Sequence, residues 1–76
     1  MKGNFGQALR ILRNSKGLSQ LDLATSLGIS RSHIGRLETG EKQPSLDMVF
    51  RIAEALDVSA SSIIAAMENP NMTSKC

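Results

Sequence analysis

The sequence predicts an all-α domain, a compact bundle of five short helices. Three observations carry this. Apolar residues recur at spacings of three and four along most of the chain, almost no alternating strand pattern is present, and Gly or Ser residues punctuate the runs at short intervals. The chain has 76 residues, 41% of them hydrophobic and only two of them Phe, so aliphatic side chains must fill the core. A chain of this length lies near the lower limit for folding unaided. Its single cysteine, Cys76, excludes an internal disulfide framework.

The first helix is expected from about Phe5 to Lys16, with Ala8, Leu9 and Leu12 facing inward and Gly17 as its stop. Ser19 is a natural N-cap for the second, and Asp22 suits its positive end. That helix turns Leu23, Ala24 and Leu27 to one face and ends at Gly28. Ser30 caps a third, which buries Ile34 and Leu37 and stops at Gly40. Pro44-Ser45 starts a fourth, with Leu46, Val49, Ile52, Ala53 and Leu56 as its core stripe and Asp57 at its end. Ser59 caps a fifth through Ile63, Ile64 and Met67. The domain is expected over 1–68, with 69–76 as a frayed tail on which Cys76 is a free thiol without function.

The break at Gly28 needs a reason. A helix restarts at once, opening on Ser30, Arg31, Ser32 and His33 with Arg36 one turn later. Two short helices joined by a tight glycine turn can cross steeply, so the second stands out from the body. Polar donors of several lengths on a protruding helix suit the DNA major groove, which admits one helix. Charge agrees with this. From Phe5 to Gly40 five bases face two acids, a net +3, whereas from Glu41 to Asn69 two bases face five acids, a net −3. His33 has no second His, Cys or acidic cluster nearby and reads as a surface residue near phosphate.

The stretch "LSQLDLATSLGISRSHIGRLETGEKQPSLDMVFRIAEALDVS", Leu18 to Ser59, closely resembles the Cro/C1-type (XRE) helix-turn-helix domain of bacterial and phage repressors. The leading Ser-Gln, the Leu-Ala pair, the turn Gly, the Leu-Glu-x-Gly and the Pro-Ser-Leu fall in register. The length is also similar to that of restriction–modification controller proteins. The resemblance implies a lambda-repressor-like fold with helices 2 and 3 as the helix-turn-helix. It implies base contacts from Arg31, Ser32 and Arg36, and phosphate contacts from Gln20, which also braces the reading side chains, and from Ser30. It implies a structural salt bridge between Arg13 and Glu38. Two positions depart from the pattern: Gly35 lies inside the reading helix, and Gln43 occupies a phosphate-facing loop position where many relatives carry a base.

Phe50, Ile63, Ile64 and Met67 exceed what so small a domain readily buries, and exposed apolar patches usually mark interfaces. They are expected to form a two-fold homodimer interface, the alternative being that the fifth helix folds back and buries them. Two reading helices about 34 Å apart would then read a palindromic operator. A second function stays open: an antitoxin or adaptor module that uses the acidic back half to hold a small protein partner. Enzyme chemistry is not expected. "GNFG" at 3–6 lacks the lysine and spacing of a phosphate-binding loop, and no metal-ligand spacing or nucleophile–base pair is present. No cofactor and no metal site are expected. With no signal peptide and no long apolar run, the chain is expected to be soluble and cytoplasmic.

Overall fold

The computed structural model describes residues 4–68; the tail expected at 69–76, with Cys76, lies outside them. Five helices follow one another: α1 Asn4–Ser15, α2 Gln20–Leu27, α3 Arg31–Thr39, α4 Leu46–Leu56 and α5 Ala60–Glu68. No strand occurs among the described residues. Helix α1 packs on α3 and α5, α2 on α3 and α4, and α4 on α5.

Serine starts four of these helices by the same chemistry. The Oγ atoms of Ser19, Ser30, Ser45 and Ser59 accept from the backbone N–H three residues on, at 2.9 to 3.1 Å. Each satisfies one donor that the helix start leaves unpaired. At α2 the pairing is reciprocal, because the Asp22 carboxylate accepts from Ser19 N–H at 2.9 Å. Hydrogen bonding from Ser19 to the carboxylate, from its backbone N–H first and its side chain second, holds the Asp22 carboxyl below its ordinary value.

The stops also share one design. Gly17, Gly28 and Asp57 adopt the left-handed conformation, with φ of 73°, 73° and 59°. The residue after each, Leu18, Ile29 or Val58, returns its N–H to a carbonyl five positions back. Each of these three side chains also packs against the core. The left-handed residue itself donates to the carbonyl three positions back, and this pair of hydrogen bonds with its apolar anchor closes a helix and turns the chain inward in one step. At Gly28 it leaves only Ile29 and Ser30 before α3 begins.

Every helix supplies the core. Leu9, Leu23, Ile34, Leu37, Ile52, Leu56 and Ile63 are fully buried, and Phe5 is the buried aromatic. Leu46 corrects the expected α4 stripe, since it is 70% exposed. It occupies the first position of α4, at the edge of the apolar face and a full turn before the first well-packed contact at Val49. Ile63 also departs from expectation. At 1% exposure it belongs to this chain's own core, so it is withdrawn from the interface set, as the fold-back alternative requires. Phe50 and Ile64 stay exposed at 57% and 42%, and Met67 is half-buried against the core.

Candidate nucleic-acid interface

Helix α3 is amphipathic in a way that sorts its residues by task. Ile34, Leu37 and Glu38 face inward and are buried. Ser32, Arg36 and Thr39, at spacings of four and three, lie opposite and are exposed. Arg31 is exposed on the flank of that face, and half-buried His33 lies on the other flank. The three residues expected to reach bases therefore share the solvent side of one short helix. Thr39 shares it too, and sequence reasoning did not single it out. Its hydroxyl donates to the Arg36 carbonyl at 3.2 Å and accepts from Glu41 N–H, which ties it to the helix end.

Ser30 serves α3 as its cap, accepting from His33 N–H, and its hydroxyl hydrogen stays available to an acceptor in front of the helix. His33 lines a shallow groove with Lys42, Gln43, Pro44, Ser45 and Met48, between α3 and the start of α4. The Gln43 amide donates to the Gly40 carbonyl at 3.4 Å and so helps close the loop. Lys42, which sequence reasoning also passed over, places a cation beside Gln43 in the groove. Its charge was the available signal, one position from where a base was sought.

Behind the exposed face lies a buried ion pair. Arg13 of α1 donates to Glu38 of α3 twice, Nε to Oε2 at 2.6 Å and Nη2 to Oε1 at 3.2 Å. Its remaining Nη1 donates to the Leu18 carbonyl at 2.7 Å, and Arg10 Nε lies 3.6 Å from Glu38 Oε1. Burial alone would raise the Glu38 carboxyl. Hydrogen bonds from Arg13 and Gln20, with the charges of Arg13 and Arg10, outweigh burial and hold it below the ordinary glutamate value. Arg51 performs a related task at the turn, donating from Nη2 to the Leu27 carbonyl at 2.6 Å and linking α4 to the end of α2.

Gly35 sits in α3 with nothing within 4 Å of where a Cβ would stand, and its φ is not positive. Neither packing nor backbone conformation requires glycine there. Gly35→Ala is therefore expected to stabilise the free protein by about 1 kcal/mol, through the ordinary helix preference of alanine. Chemical denaturation without DNA checks this, and a less stable variant would reveal a contact at that position.

A polar-faced α3 held outward by a three-residue turn on α2 defines a helix-turn-helix domain of the DNA-binding class. The chain belongs to the helix-turn-helix family HTH_3, whose model matches residues 9–63. This is a family of transcriptional regulators rather than enzymes. The chain is 37% identical over 60 residues to an SPbeta prophage-derived uncharacterized HTH-type transcriptional regulator, YonR of Bacillus subtilis, covering 79% of this chain and 56% of that one. Among solved structures it is similar to the restriction-modification controller protein C.AhdI from Aeromonas hydrophila. That match has 43% identity and a TM-score of 0.76, covering 80% of this chain and 92% of the other. The clp gene regulator ClgR of Corynebacterium glutamicum is 26% identical with a TM-score of 0.86, over 90% of this chain and 72% of its own. No described helix is long and apolar enough to cross a membrane.

Proposed function

We propose that the protein is a sequence-specific, DNA-binding transcriptional regulator of the cytoplasm that acts as a homodimer on a palindromic operator. The observation that carries this is the division of α3, with Ile34 and Leu37 buried and Arg31, Ser32 and Arg36 exposed together. In this reading those three side chains meet base edges in the major groove, and arginine grips guanine through two donors. Ser30, Gln20, His33 and Gln43 meet phosphates, and Lys42 joins them. The exposed cations Arg31, Arg36 and Lys42 lie on or beside α3, where a polyanion would meet them.

A single α3 spans few base pairs, which favours a two-fold assembly. Phe50 and Ile64 supply exposed apolar surface for it, with Met67 at its edge. The same surface and the acidic back half also suit a small protein partner, as in an antitoxin or adaptor. Recovery of a stoichiometric partner that competes with self-association would favour that second reading.

Selection of bound duplexes from a random library at near-physiological salt tests the proposal. An enriched inverted repeat is the expected result. Arg31→Ala and Arg36→Ala should each cost roughly 1–3 kcal/mol on the selected site and relax one position of each half-site. Titration against the selected duplex and its single-base variants measures this. Binding that neither change affects would refute the assignment of α3 as the reading helix.

A further inference from the structure

The buried ion pair and the exposed reading arginine are connected. Glu38 Oε1 accepts from Gln20 Nε2 at 3.0 Å, and Gln20 Oε1 accepts from Arg31 Nη1 at 3.0 Å. With Arg13 on the far side of Glu38, an unbroken chain runs Arg13–Glu38–Gln20–Arg31 from the interior to the front of α3. Its four members lie on three different helices. Arg31 and Glu38 are seven residues apart on α3, about 10 Å along the axis, and Arg31 Nη1 donates to Gln20 rather than to Glu38. Gln20, reaching across from the first position of α2, joins them.

The order of charges sets the direction of every group. An ionised carboxylate only accepts, so the Gln20 amide must turn its NH2 to Glu38. Its carbonyl oxygen is thereby left facing outward, the one orientation that can hold a guanidinium. Glu38 is itself fixed by three donors, two from Arg13 and one from Gln20. Gln20 therefore sits between a buried anion and the exposed tip of Arg31.

We propose that Glu38 and Arg13 are positioning residues for base recognition, acting through the Gln20 amide to hold the Arg31 guanidinium in its reading orientation. This rests on the reading of α3 given above and extends it. The ion pair then has two duties, to join α1 to α3 and to select among bases it never touches. A long arginine loses much rotamer freedom when it binds, and a side chain already held loses less for the base it fits. Wrong bases gain nothing from that orientation, so the restraint sharpens the preference at one position.

The test needs variants that fold. Arg13→Met with Glu38→Met replaces the pair by apolar side chains, a change that buried ion pairs often tolerate. Gln20→Met keeps the pair and removes only the link. Each variant, Arg31→Ala and the parent are titrated against the selected duplex and every single-base variant of its half-site, with circular dichroism confirming the fold. Both linkage variants are expected to lower discrimination roughly tenfold at the position that Arg31→Ala also flattens. Adding Arg31→Ala to either should lower it no further. Gln20→Met should also weaken all duplexes uniformly through its lost phosphate contact, which leaves the positional pattern readable. Folded variants that keep the parent's preference at that position, or lose preference evenly everywhere, would overturn the positioning role while leaving the proposed function standing. A parent protein with no base preference anywhere would overturn both. Should the Met–Met protein not fold, Glu38→Gln, which keeps the size of the side chain but can donate as well as accept and so no longer fixes the Gln20 amide, decides by the same criterion.

Discussion

Glu38→Ala is expected to lower the unfolding free energy by about 3–5 kcal/mol, a large share of what a domain of this size possesses. The loss does not measure the attraction between Arg13 and Glu38. It comes from leaving the buried Arg13 guanidinium without its anion, together with the donor of Gln20. The Met–Met replacement of both residues should therefore cost far less than the single change, and urea denaturation of the two proteins makes the comparison. Glu38→Ala as stable as the parent would exclude the pair as a structural anchor. Acid should act on the same carboxyl. Because Glu38 titrates lower in the folded protein than its ordinary value of 4.5, its contribution is complete above that value and is lost as pH falls through the lower folded one.

Gly6→Ala is expected to cost roughly 2–3 kcal/mol, with a matching fall in the denaturation midpoint. Helix preference alone predicts the opposite sign, since Ala is favoured over Gly by about 1 kcal/mol inside a helix. Packing overrides it here. A Cβ on Gly6 would stand 2.6 Å from the Leu37 carbonyl oxygen and press against the Glu38 carbonyl as well. These are backbone atoms at the end of α3, so no side chain can swing aside. Forcing α1 away would also draw Arg13, two turns along, from Glu38. An alanine variant at least as stable as the parent would show that α1 can move off α3 without loss. Comparing Gly6→Ala with Gly35→Ala gives the sharper result, because the same substitution in two helices should have opposite signs.

Much of the fold was legible in the sequence. Ser19, Ser30, Ser45 and Ser59 mark helix starts because a short hydroxyl side chain satisfies a donor within its own turn. Gly17, Gly28, Gly40 and Asp57 mark ends because positive φ is a local property of the residue. The inward faces of α2 and α3 follow from their own periodicity, as does the outward placement of Ser32 and Arg36. Leu46 misled because periodicity assigns an angle around the helix and is blind to where along it the packing begins. Lys42 was passed over because loop residues have no periodicity to place them.

What the sequence by itself determined, then, is what neighbouring residues decide among themselves: the caps, the stops, the short turn at Gly28 and the polar edge of α3. Tertiary structure alone decided which of two adjacent isoleucines, Ile63 or Ile64, is core and which is surface. It alone separated a glycine in open space at Gly35 from one pressed on backbone at Gly6. It also brought residues 13, 20, 31 and 38, from three helices, into one hydrogen-bonded line. The reason is range. Capping and turn geometry act over a few bonds, whereas burial, steric contact and ion pairing depend on distances that exist only after the helices have packed.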